Sequence, residues 1–148
     1  ISCIYVKGSL KQNVALVYGC CDKLDSGEVV QFDSELEMLM AFAELVNHLD
    51  PDVISGYNIN GFDYNYLTDR FHLYDHEWPN ISRLLAHQPG IRGNDWKSDA
   101  YGRVKLQPLV LPGRINIDLF LYFRRSTHRL KSFKLGYVTK FFLKDTKK

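Results

Sequence analysis

Asp63 is the residue with the clearest chemical potential, because of what precedes it. In DPDVISGYNINGFDYNYLTDR, residues 50–70, the apolar pair Val53-Ile54 leads into Gly56, Tyr57, Asn58 and Asn60, and Asp63 then follows Phe62 where a helical pattern begins. A carboxylate in the first turn of a helix is favoured by the helix dipole, and from there it can reach outward to a hard divalent cation. The same carboxylate can instead simply cap its helix, and Asn58 and Asn60 are ordinary turn residues. Residue types alone leave both readings open.

Other side chains offer weaker chemistry. His72 and His76 are spaced for one helix face, as metal ligands would be, although Asp75-His76-Glu77 reads more naturally as a solvated helix end. Asp118, within Ile117-Asp118-Leu119, is expected to help position a closing helix, with catalysis as the lesser alternative. Trp78 and Trp96 read as packing or loop anchors, and Tyr57 as core or cleft wall. Cys3, Cys20 and Cys21 are odd in number and lack Cys-x-x-Cys spacing, so they suggest neither a disulfide framework nor a zinc site. They are expected to be reduced and mostly buried.

The elements that must hold these residues alternate strand and helix. Strands are predicted over 1–6, 14–18 and 29–32 from their β-branched and aromatic content. Ser34 with Glu37 forms a capping pattern, and Leu36, Leu39, Met40, Phe42, Ala43, Val46 and Leu49 recur at helical spacing until Asp50-Pro51. A short buried strand is expected over 52–57, followed by a helix over 62–73 with Tyr66, Leu67 and Phe71 facing inward. This order implies a right-handed crossover between parallel strands and an α/β class. Beyond Asp75, Pro79, Pro89, Gly90 and Gly93 break the periodicity, and the polar run 94–99 reads as part of a long loop. A hairpin of 101–107 with 109–115 about Gln107-Pro108 is predicted, then helices over 117–123 and 133–143.

At 148 residues, 45% of them hydrophobic, the chain can bury one sizeable core. No apolar run approaches the ~18 residues that suggest a membrane span, and residues 1–10 do not read as a secretory signal, so a soluble intracellular protein is expected. Charge is asymmetric. From Arg114 onward ten Lys and Arg face Asp118 and Asp145, a net +8, while the preceding residues carry nine against fifteen, a net −6. Arg124, Arg125, Arg129, Lys131 and Lys134 interleave with Tyr122, Phe123 and Phe133, a mixture suited to a nucleic-acid backbone and its bases, or to a solvated helical surface.

The order of residues adds what the single Asp lacks. Asn58-Ile59-Asn60-Gly61-Phe62-Asp63 fits Asn-x-x-x-Phe-Asp, the second exonuclease motif of B-family DNA polymerases, and 50–58 resembles the family's Asp-Pro-Asp-(Ile/Val)-Ile-x-Gly-Tyr-Asn. Ala100-Tyr101-Gly102, Gly113-Arg114-Ile115-Asn116-Ile117-Asp118-Leu119, Leu130-Lys131-Ser132-Phe133-Lys134-Leu135 and Phe142-Leu143 resemble later blocks of that family in the same order. Essentially the whole chain resembles the 3′–5′ proofreading exonuclease domain of replicative, delta-like or large-DNA-virus polymerases.

The resemblance implies an α/β, ribonuclease H-like mixed sheet flanked by helices, truncated at both ends. It also implies hydrolysis of the 3′-terminal phosphodiester of single-stranded DNA with two Mg²⁺ or Mn²⁺ ions. By that resemblance Asp63 is the catalytic and metal-binding carboxylate, while Asn58 and Phe62 hold the DNA strand. The implied partners are a single-stranded DNA 3′ end, primer-template DNA, the remainder of the polymerase chain and a processivity factor, with no membrane, in the nucleus or a viral replication compartment. The family places an Asp-x-Glu pair upstream of a strand like 1–6 and a Tyr-x-x-x-Asp motif downstream of a segment like 133–143; neither stands in that place here, and palm, fingers and thumb are likewise absent from these residues. Residues 1–148 are therefore expected to be an internal part of that domain, inactive alone, with an open backbone edge beside 1–6. The alternative is a non-catalytic ribonuclease H-like module that binds nucleic acid or serves as a scaffold.

Overall fold

The computed structural model describes residues 1–22, 24, 26–98, 102–106, 108–126 and 130–143. Three strands come first: β1 (Ser2–Lys7), β2 (Leu10–Tyr18) and β3 (Glu28–Phe32). β1 runs antiparallel to β2 and β2 parallel to β3, in the order β1-β2-β3. Among the described strands β1 pairs only with β2. Cys3 is half-buried, but Cys20 and Cys21 are exposed, contrary to expectation. They follow the end of β2, where no face is turned inward.

Helix α1 (Glu35–Leu49) starts as its sequence predicts, with Ser34 Oγ accepting the Glu37 N–H, and ends at Asp50 in a left-handed conformation at φ 41°. Its apolar stripe divides between two clusters. Leu39, Ala43 and Val46 join Leu67, Phe71, Trp78, Ile81, Leu109 and Leu111, while Met38 joins Val14 and Leu16 from β2. Trp78 is the packing anchor its type suggests: 3% exposed, with its ring 4.9 Å from Phe71 and its indole N–H donating to Thr68 Oγ1 at 2.7 Å.

β4 (Val53–Gly56) leads into α2 (Asp63–His72), close to the expected bounds. Its parallel neighbour is β9 (Ile115–Asp118), with Gly56 opposite Asp118, and not one of the first three strands. On α2 the buried stripe is Tyr64, Leu67 and Phe71. Tyr66, predicted to face inward, is 52% exposed. It lies two residues from Tyr64, about 200° around a helix, so both cannot face one core.

Pairings beyond residue 90 differ from the predicted hairpin. β5 (Gly90–Ile91) pairs with β8 (Leu109–Val110), and β6 (Asn94–Ser98) with β7 (Gly102–Leu106), all antiparallel. The polar run taken for loop thus holds a strand, because backbone ladders can form without apolar alternation. Gln107, Ala100, Tyr101 and Arg129 lie outside the described residues, as does the Trp96 side chain. The helix predicted over 117–123 is β9 followed by α3 (Leu119–Arg125), and the last helix, α4, covers Leu135–Leu143. Ile115-Asn116-Ile117 alternates at period two, which marks it as strand. The fold is mixed α/β, and no described helix is long and apolar enough to cross a membrane.

Candidate nucleic-acid and metal site

The loop from the end of β4 to the start of α2 gathers the three predicted site residues. Asn58 sits in the left-handed region at φ 63°, which asparagine tolerates better than most side chains. Its carbonyl accepts the N–H groups of Gly61 and Phe62, both at 3.0 Å, and the Ile59 carbonyl accepts that of Tyr64 at 3.1 Å. The loop is therefore a closed double turn feeding α2. The Asn58 side chain lies against Gly61, where an added Cβ would come 2.4 Å from Asn58 Oδ1.

Phe62 and Asp63 emerge from this turn exposed. The Phe62 ring is 61% accessible and stacks on Tyr66, with centroids 6.0 Å apart and planes 9° apart. Asp63 is the first residue of α2; Phe62 occupies the cap position, with no side-chain cap bond. Asn60 turns the other way and is 7% exposed. Its carbonyl accepts from Asn65 Nδ2 at 3.3 Å and its Oδ1 from Asn116 Nδ2 at 3.5 Å. Asn58, Phe62 and Asp63 are thus brought together on one loop, and Asn60 serves the interior.

Beneath the loop lies Asp118, 6% exposed at the carboxyl end of β9. Its Oδ1 accepts the Asn58 N–H at 2.8 Å and the Phe120 N–H at 3.0 Å, and its Oδ2 accepts the Asn60 N–H at 3.1 Å. It caps α3, as expected, but two of its three bonds cross to the candidate loop. Burial first, and then the charges of Asp118 and Asp63, push the Tyr64 phenol well above its ordinary range, so it stays a neutral donor to Asn116 Oδ1 at 3.4 Å. Burial, followed by Asp118, also raises the Tyr57 phenol, whose hydroxyl donates to the Phe133 carbonyl. Tyr57 therefore ties β4 to the segment before α4. Its ring meets Phe120 edge-on at 5.7 Å.

This donor set does not by itself fit a pair of metal ions. Two neighbouring cations need several carboxylates, and among the described residues no three His, Cys, Asp or Glu side chains gather to hold one. Asp63 offers one open carboxylate, whereas Asp118 is occupied by backbone N–H groups. His72 and His76 do not share a helix face as predicted, since α2 ends at His72, whose Nε2 lies 3.5 Å from Glu77 Oε2. The basic tail is partly engaged. The Arg124 guanidinium lies 5.6 Å from the Phe120 centroid and 6.0 Å from that of Phe133, while Lys131, Lys134 and Tyr122 are exposed.

Sequence reasoning recognised the loop but missed the extent of Asp118's role. The available signal was a charged residue ending an apolar alternation, Ile115-Asn116-Ile117-Asp118, where an unpartnered carboxylate would be costly to bury.

Comparison with known proteins supplies the family. Residues 1–138 match the family described as DNA polymerase family B, exonuclease domain. The DNA polymerase delta catalytic subunit of Schizosaccharomyces pombe is 32% identical over 128 residues, covering 86% of this chain and 12% of its own length. That of Glycine max is 30% identical over 128 residues, with the same coverage. DNA polymerase 120R of Invertebrate iridescent virus 3 is 32% identical over 155 residues, covering 99% of this chain and 13% of the viral protein. The chain thus spans only 12–13% of the length of these relatives. By this match the chain belongs to DNA polymerase family B and represents its exonuclease domain.

Proposed function

We propose that residues 1–148 form part of the 3′–5′ proofreading exonuclease domain of a DNA-directed DNA polymerase, with a ribonuclease H-like fold. The palm, fingers and thumb lie elsewhere in that polymerase. The substrate is the 3′-terminal phosphodiester of single-stranded DNA frayed from a primer-template. The cofactors would be two Mg²⁺ or Mn²⁺ ions, which in the complete site would activate water and offset the charge of the reacting phosphate. Asp63 is one carboxylate of the ligand set, and further carboxylates come from other segments of the polymerase.

The chain's own residues bind and orient the strand. Phe62 offers an open ring face to a base, a contact of about 1–3 kcal/mol, and the Asn58 amide hydrogen-bonds near the terminal nucleotide. Lys131 and Lys134 offset backbone charge along the strand's path. A processivity factor is a further partner, and the site of action is the nucleus or a viral replication compartment.

The observation that carries this reading is the order Asn58, Phe62, Asp63 on one closed turn, with the Phe62 ring and Asp63 both open to solvent at the start of α2. Asp63→Ala in the polymerase bearing this chain is expected to slow 3′ trimming of a labelled single strand by at least about 100-fold, while primer extension continues. Trimming at the unaltered rate would sink the reading. A second reading is a non-catalytic nucleic-acid-binding or scaffolding module. In that case the unaltered polymerase binds single-stranded DNA through this domain without shortening it.

A further inference from the structure

We infer that Asp118 is a positioning residue of the exonuclease site, holding the Asn58–Asp63 loop in its working shape through bonds to the Asn58 and Asn60 N–H groups. The inference rests on the function proposed above. A helix cap requires one acceptor for an orphan N–H, and Asp118 meets that need with its bond to Phe120 alone. Its other two bonds, at 2.8 and 3.1 Å, bridge 60 and 58 residues of sequence to the loop that bears the candidate site.

The parallel register makes this reach possible. Gly56 lies opposite Asp118, so the chain leaving β4 passes directly over the carboxylate that ends β9. The two oxygens take adjacent loop donors, one from each side of Ile59. They hold Asn58 in its left-handed conformation, which a free chain adopts at a cost. Four and five residues later the backbone presents Phe62 and Asp63. Bonds to a charged acceptor are the stronger kind, and at 6% exposure water competes little for them. Asp118 is buried with both oxygens taken by backbone N–H groups, so it acts through the loop.

Two substitutions separate capping from positioning. Asp118→Ser keeps a good N-cap for α3 but has one short hydroxyl and cannot serve both loop donors. Asp118→Asn keeps the length but replaces one oxygen with an NH₂ group that opposes a backbone N–H. Leu39→Ala is the control: its side chain is fully buried in the core cluster against which Ile59 of the loop also packs, so its loss destabilises the fold while removing none of the bonds that Asp118 makes.

The test measures kcat and KM for 3′ trimming of single-stranded DNA by the polymerase bearing this chain, below every variant's unfolding midpoint, with amide hydrogen exchange at positions 58 and 60. Both Asp118 variants are expected to lose at least tenfold in kcat, more than KM rises, and Asp118→Ser to exchange these amides at least tenfold faster. Leu39→Ala should stay within threefold in kcat. An Asp118→Ser kcat within threefold of the unaltered enzyme, or an equal loss in Leu39→Ala, would overturn the inference. Asp63→Ala in the same assay separates the two claims. If it trims normally, the site reading itself fails; if it is inactive while Asp118→Ser trims normally, only the positioning role does.

Discussion

The Asn58–Gly61 contact shows how one missing methyl group can set the direction of a side-chain amide, here the one proposed to hold the strand. A Cβ at position 61 would meet Asn58 Oδ1 at 2.4 Å and Cγ at 3.1 Å, both in a side chain that can swing away. Gly61→Ala is therefore expected to change stability by less than about 1 kcal/mol while displacing the amide proposed to hold the strand. Fluorescence anisotropy should show at least threefold weaker binding of a single-stranded oligonucleotide, with an almost unchanged thermal midpoint; unchanged affinity would remove Asn58 from the strand's path. Legibility in the sequence follows the same distinction between near and far. That Asn58, Phe62 and Asp63 stand on one loop is readable because they share one short run. Asp118 was not fully readable, because two of its partners lie some 60 positions away and only the parallel register of β4 and β9 brings them into reach.

Elements with their own local signals were legible, and those fixed by long-range pairing were not. Ser34 and Asp50 bound α1 as its sequence announces, whereas the β5–β8 and β6–β7 ladders depend on partners that no local pattern names. The join between α1 and α2 is likewise a tertiary feature. Arg70 grips Glu35 through two nitrogens, with Nε to Oε1 at 2.8 Å, and the Tyr74 hydroxyl donates to Oε2 at 2.9 Å. The Arg70 hydrogen bond above all holds the Glu35 carboxyl below its ordinary value of 4.5, against an opposing effect of burial. A carboxylate depressed in the folded state adds stability that is full above its unfolded value and lost as pH falls through its folded one. Glu35→Gln should thus melt a few degrees below the unaltered protein at pH 7, and the two melting curves should converge as pH drops below about 4.5. A gap that stays constant into acid would mean that Glu35 contributes by packing rather than by charge.

Across the whole molecule, α1 is the piece that spans two separately hydrogen-bonded sheets. It buries Met38 against β2 and Leu39, Ala43 and Val46 against the cluster that contains Leu67 and Phe71 of α2; Ile1 and Phe42 pack against both clusters. Among the described residues the β1-β2-β3 and β4-β9 sheets share no ladder, so side-chain packing carries their alignment; the loop bearing Asp63 joins β4 to α2, is bonded to Asp118 of β9, and packs Ile59 against the cluster that holds Leu39, Ala43 and Val46 of α1. That arrangement presents the exposed Phe62 ring and one open carboxylate, Asp63, while the region's buried carboxylate, Asp118, is held by three N–H groups. Two cations a few ångström apart repel each other strongly, and a single carboxylate cannot offset that charge. The 148 residues by themselves are therefore expected to bind single-stranded DNA weakly and not to shorten it in Mg²⁺ or Mn²⁺, whereas a polymerase that contributes further carboxylates does. A 3′-labelled oligonucleotide incubated with the purified chain should remain full length. Metal-dependent trimming by the purified chain, lost on Asp63→Ala, would show that these residues alone assemble a complete centre and that the site needs nothing beyond them.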